Sequence, residues 1–146
     1  MSVRALKSRA KKASLRVDDE TLRWAVRFHG HLGPFLVLGL RAGFRAVELF
    51  GRDPFKLKAM VTLRKRIPYT CFLDGIQFAT GCTLGKGNIE ILEGDGITVR
   101  FIHERGELRL IVKEEILEKA LDAEDPEKEA LKLLKLPLDK LFIERH

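Results

Sequence analysis

The run from Phe35 to Phe50 constrains this chain more than any other segment. Its charged residues, Arg41, Arg45 and Glu48, recur at i, i+4 and i+7 and so fall on one narrow stripe of a helix. Everything else on it is apolar or small, so nearly its whole circumference must be buried, and the segment is predicted to be the central helix of the fold. Gly39, Ala42, Gly43 and Ala46 leave one side without bulk. A helical glycine costs about 1 kcal/mol relative to alanine, and close approach of another element is the expected compensation. The stretch is too short and too interrupted by charge to span a membrane. Gly51 suits the C-terminal cap.

The flanking patterns fit around this helix. Asp18-Asp19-Glu20-Thr21 is an acidic helix start, and Leu22, Ala25, Val26 and Phe28 follow at helical spacing. His29-Gly30-His31-Leu32-Gly33-Pro34 breaks that pattern. Residues 57–64 alternate as a strand and lead into the basic connection Arg64-Lys65-Arg66-Ile67-Pro68. Cys71 to Ala79 reads as a second helix, and Gly81 to Asn88 as a loop. Segments 89–92, 97–103 and 107–113 read as strands, the last two joined in a hairpin through Glu104-Arg105-Gly106. Amphipathic helices follow near Ile116–Leu121 and from Pro126 to before Pro137, and Leu141-Phe142-Ile143 can close the chain as a strand. The expected fold class is α+β: an antiparallel sheet, a buried central helix and helices at both ends. Leu108–Val112 is expected at a sheet edge, open to pairing.

Charge divides the chain in two. Residues 1–16 hold six of the 27 basic residues and none of the 21 acidic ones, so the net charge of +6 belongs to this tail and residues 17–146 are balanced. The tail is expected to be a flexible, solvated segment preceding one domain. It could attract nucleic acid, but with Trp24 and Tyr69 the sole Trp and Tyr, the chain lacks the aromatic clusters that stack bases, and a nucleic-acid role is not expected. The first sixteen residues have no apolar core, against a signal peptide. Two cysteines are too few for a secreted disulfide scaffold, so a cytoplasmic location with free thiols is expected.

The chemistry-bearing residues cluster. Two of the four histidines lie in His29-Gly30-His31, and both cysteines, Cys71 and Cys82, bracket the second helix. Imidazole nitrogen and thiolate sulfur suit zinc, and four such ligands would fill a tetrahedral site. The spacing matches no zinc-finger pattern. Each residue also has a plainer role open to it: a buried cysteine as a small hydrophobe, a histidine capping a helix end, or a Cys71–Cys82 disulfide. The loop Gly81-Cys82-Thr83-Leu84-Gly85-Lys86-Gly87-Asn88 is not a Walker motif, since Thr80 stands where the first glycine belongs and Gly87 where Ser or Thr is required. It could form a backbone anion nest or a tight turn. His103 and His146 read as surface residues.

Together, Phe28-His29-Gly30-His31-Leu32-Gly33-Pro34, Gly39 and Arg41 of the central helix, Cys71-Phe72-Leu73-Asp74-Gly75-Ile76-Gln77 and Thr80-Gly81-Cys82-Thr83-Leu84-Gly85-Lys86-Gly87-Asn88 resemble the formylmethanofuran dehydrogenase E-subunit family. The resemblance covers about residues 20–145 and is strongest over 28–88. It implies an α+β domain, commonly a homodimer, that holds a metal, usually zinc, through histidine and cysteine. Carried over, it makes His29, His31, Cys71 and Cys82 the metal ligands and Gln77, Thr83 and Asn88 pocket residues. Asp74 and Lys86, the charged residues inside the two motifs, are the candidates for acid–base work. The chain departs from the family in three ways: Gly33 replaces a usual cysteine, the segment before Cys71 is basic where acidic residues are frequent, and no C-terminal zinc ribbon follows. With Gly33 supplying no ligand, one coordination position should be open. The implied function is a small metal-binding protein. The alternative is a non-catalytic accessory subunit or partner of a molybdopterin or tungstopterin enzyme, with a vestigial or ligand-sensing pocket.

Overall fold

The computed structural model describes residues 17–146; the basic tail of residues 1–16 lies outside them. The elements are α1 (Asp19–His29), α2 (Pro34–Phe50), β1 (Lys58–Leu63), α3 (Cys71–Thr80), β2 (Ile89–Glu93), β3 (Thr98–His103), β4 (Gly106–Val112), α4 (Glu114–Asp122), α5 (Pro126–Lys135), α6 (Leu138–Leu141) and β5 (Phe142–Arg145). The fold is α+β, as expected. The five strands form one sheet in the order β2-β1-β3-β4-β5.

Two features of the sheet differ from the sequence-based expectation. The sheet is mixed, because β2 pairs with β1 in parallel, Val61 opposite Ile91, while the other three pairings are antiparallel. The cause is α3: a helix between two strands carries the chain back to the end from which β1 started, so the next strand runs alongside it. Leu108–Val112, expected at an edge, is interior, because the C-terminal residues 142–145 add β5 beside it. The edges are β2 and β5.

The central helix is buried as its pattern demands: all but Arg45, Glu48 and Leu49 of its residues are buried. On one side Val37, Leu38, Ala46 and Phe50 join the main core with Ala59, Val61, Val99, Phe101, Leu108 and Leu110 of the sheet. On the other, Leu36, Leu40 and Phe44 pack with Ala25 of α1 and Ala79 of α3. The charged stripe is covered rather than solvated. Arg41 is 4% exposed and donates from Nη1 to the carbonyls of Leu133 (2.8 Å) and Leu134 (3.1 Å) near the C-terminal end of α5. Burial pulls its guanidinium below the usual arginine range. Arg45 forms a fork with Glu144 of β5, both bonds 2.8 Å, and meets Glu48 at 3.2 Å.

Glycine sets the separation of α2 and α3. A Cβ on Gly39 would stand 2.1 Å from the Phe72 carbonyl oxygen, one on Gly75 2.5 Å from the Leu36 oxygen, and one on Gly43 2.6 Å from the Ala79 Cβ. The helices therefore touch backbone to backbone, and the missing bulk of the central helix is taken up by α3. His103, expected at the surface, is buried. Its ring stacks on Phe50, its Nδ1 accepts from the Arg105 amide at 3.1 Å, and its Nε2 faces Asp53 at 3.3 Å. It closes the β3–β4 turn onto the end of α2. His146 is exposed and 2.8 Å from Glu144.

Gly75→Ala is expected to destabilise the fold by about 1–3 kcal/mol through overpacking, measured by urea denaturation with an unchanged slope; an unaltered midpoint would mean the helices can part without cost. The Arg45 fork, then burial acting against it, sets the ionisation of Glu144, and the fork wins, holding its carboxyl below the usual glutamate range. A depressed carboxylate stabilises above its unfolded pKa, near 4.3, and that contribution is lost as pH falls through the lower folded value. Glu144→Gln is therefore expected to cost about 1 kcal/mol at pH 7 and to narrow its deficit below about pH 4, measured by denaturation at both pH values.

Candidate metal centre

The site forms where α1 ends and α3 begins. His29 is the last residue of α1, and the helix is closed by Gly30 at φ +112°, whose amide donates to the Val26 carbonyl. This left-handed conformation suits glycine, which has no Cβ to clash. It turns the chain between the two histidines, so His31 folds back beside His29 with ring centroids 4.5 Å apart. Leu32 and Gly33 then lead into α2 with Pro34 at its first position, where no amide is needed. Cys71 is the first residue of α3, and the glycine-mediated contact of α2 and α3 brings it to the same place.

The donor atoms of His29, His31 and Cys71 lie within 4.8 Å of one another. The two Nε2 atoms are 3.0 Å apart. His29 Nδ1 meets Asp74 Oδ2 at 2.6 Å. A carboxylate only accepts, so His29 carries its proton on Nδ1 and presents the Nε2 lone pair to the cluster. Asp74 is held in turn by Gln77, whose Nε2 donates to Oδ1 at 3.2 Å. Carboxylate, histidine and open lone pair are the outer-shell arrangement that fixes metal-binding imidazoles. Burial, then the neighbouring Asp74 charge, pushes the Cys71 thiol up, so an arriving ion must displace its proton. Two imidazoles and one thiolate are a donor set that fits zinc, with a fourth position left over.

The other expected site residues lie elsewhere. Cys82 is not part of this group. It is fully buried in the main core, and its Sγ donates to the Leu57 carbonyl at 3.4 Å. Burial pushes its thiol up as well; both cysteines are free. Lys86 is exposed and turns back on its own loop, donating from Nζ to Thr83 Oγ1 at 2.9 Å. Asn88 takes the Thr83 amide on Oδ1 at 2.8 Å and donates to the Pro54 carbonyl. Thr83 and Asn88 thus hold the loop closed. Three of its amides are occupied within the chain: Thr83 by Asn88 Oδ1, Leu84 by Gln77 Oε1 of α3 at 3.0 Å, and Gly87 by the Thr83 carbonyl at 3.1 Å. The loop is a tight turn, and these amides are not free to bind an anion.

A cleft of about 390 Å³ adjoins the cluster, lined by His29, Ile67, Thr70, Cys71, Leu73, Asp74, Gln77, Leu84, Ile89 and Ile91. Thr70, Leu73, Asp74 and Gln77 recur at i, i+3, i+4 and i+7 and form its α3 wall. The opposite wall comes from alternate residues of β2. Sequence patterning marked Gln77 but not Ile89 or Ile91, which read there as ordinary strand residues; their period-2 spacing beside a parallel edge strand was the available signal. Position 33 borders the donors too, since a Cβ there would stand 3.2 Å from His31 Cε1.

Among known proteins, one from Archaeoglobus fulgidus, named as a probable S-adenosyl-L-methionine-binding protein, is 38% identical over 74 residues, covering 47% of this chain and 19% of that protein. The chain thus spans only a small part of that relative. The family model described as FmdE, molybdenum formylmethanofuran dehydrogenase operon, matches residues 28–143. That match begins one residue before His29 and runs into the final strand, so the helix end, the glycine-spaced helix pair and strands β1 to β4 fall within it, and the chain belongs to the FmdE family.

Proposed function

We propose that this protein binds one divalent metal ion through His29, His31 and Cys71, and that the ion is zinc. The observation that carries this is the convergence of the three donor atoms, with the His29 lone pair aimed among them by Asp74. Zinc accepts two imidazoles and a thiolate and tolerates an open fourth position. Bound there, it would supply Lewis acidity to whatever occupied that position. Asp74 then serves as the positioning residue for His29, in place of the acid–base role suggested by its sequence context. Two free thiols support a reducing, cytoplasmic setting, and among the described residues no helix is long and apolar enough to cross a membrane.

The family's description by a dehydrogenase operon favours a second reading, in which the protein is an accessory component of a molybdopterin or tungstopterin enzyme. Metal content separates the two. Freshly purified protein is expected to hold about one zinc per chain by elemental analysis. Cys71→Ala should abolish uptake and Cys82→Ala should retain it. Asp74→Asn should weaken affinity about 10–100-fold in chelator competition. A folded protein that takes up no metal would leave the accessory reading standing alone.

Self-association belongs to the same proposal. Trp24 and Phe28, four residues apart on α1, are 58% and 56% exposed and form an apolar patch suited to a second copy. Sedimentation at micromolar concentration should give twice the 16.6 kDa chain mass, and Trp24→Glu should restore the monomer. A wild-type monomer would refute it.

A further inference from the structure

Of the three candidate donors, His29 and Cys71 line the cleft. Beyond them it runs between α3 and the edge strand β2, and its character changes. Ile89 and Ile91 project from one face of β2, Leu73 from α3, and Ile67 and Leu84 stand at the rim, each 80% exposed. The rim residues come from different loops, the β1–α3 connection and the α3–β2 turn. The polar groups in the cleft are largely committed. Asp74 accepts from His29 and Gln77, and Gln77 Oε1 accepts from the Leu84 amide. A ligand with many hydroxyls or amides would find few partners here, whereas an apolar body would cover Ile67, Leu84 and the exposed parts of Ile89 and Ile91, with the buried Leu73 as the floor. The volume, about 390 Å³, is at the small end of the range for ligand sites.

A divalent ion held by two neutral imidazoles and one thiolate would keep an open position suited to an anionic oxygen donor. The Asp74 carboxylate is turned away from that position, toward the His29 ring and the Gln77 amide. Lys65 and Arg66, both exposed, immediately precede Ile67 at the rim. The glycine at position 33, next to His31, adds no fourth protein ligand.

We propose that the cleft binds a small monoanionic molecule with an apolar body, its anionic group completing the coordination of the ion and its body lying along Ile67, Leu84, Ile89 and Ile91. This rests on the metal-binding reading above. The test uses the full chain loaded with cobalt, whose visible absorption reports on the atoms coordinated to it, and the straight-chain carboxylates from acetate to octanoate as probes. Each carboxylate is expected to change the absorption, and affinity should rise about fourfold per added methylene until the cleft is filled. Leu84→Asp should flatten that rise, with its cobalt content measured alongside to show that it has folded. Gly33→Cys, which offers a fourth protein ligand, should tighten cobalt binding and abolish the response to every carboxylate. A chain that takes up no cobalt overturns both readings. A chain that binds cobalt but ignores carboxylates, or binds all lengths equally, overturns this one and leaves metal binding intact.

Discussion

The contact between Gly39 on α2 and Gly75 on α3 sets the geometry of the rest of the molecule. Without Cβ atoms the two helices meet backbone to backbone, with the Phe72 and Leu36 carbonyls where side chains would otherwise stand. Overpacking at such a contact forces backbone shifts. Here a shift would not stay local, because the donor cluster is divided between the helices: the histidines precede α2, and Cys71 opens α3. Helical glycine is poor local chemistry, and its presence on both faces of one contact is explained by the approach it permits.

The site shows division of labour within a short helix. Cys71 and Asp74 are three residues apart and share a face, so α3 supplies both a donor and the carboxylate that orients a donor from elsewhere. Gln77, one turn further, ties Asp74 in place and receives the Leu84 amide. A single ten-residue helix therefore links the donor cluster, the His29 Nδ1 and the rim of the cleft. Exposure decreases along this chain of contacts from His31 to His29, which suits an ion entering from the His31 side.

Much of this was legible in the residues. The narrow charged stripe on α2 identified the buried helix, and its glycines called for a close neighbour. His29, Gly30, His31 and Cys71 were picked out by type and by family resemblance. What the sequence concealed was tertiary. The parallel run of β2 follows from α3 lying between two strands, a signal outweighed by the antiparallel hairpin that follows. The interior position of β4 depends on four residues at the end of the chain. Cys82 and Cys71 are chemically identical in the sequence; packing alone puts one in the core and the other among the histidines. His103 reads as a turn residue and is buried because Phe50, remote in sequence, offers it a face to stack on. Lys86 lies in a motif rich in glycine, yet its own loop, through Thr83, occupies its ammonium group.

The covered stripe of the central helix bears on how the chain is made. Arg41 and Arg45 sit in the first third of the sequence, but their partners, the carbonyls of Leu133 and Leu134 and the carboxylate of Glu144, are among its last fourteen residues. During synthesis from the N-terminus, the central helix emerges long before anything can satisfy its guanidinium groups. Burying an unpaired charge is strongly unfavourable, so the full burial of α2 depends on partners that lie 92 to 99 residues further along the chain.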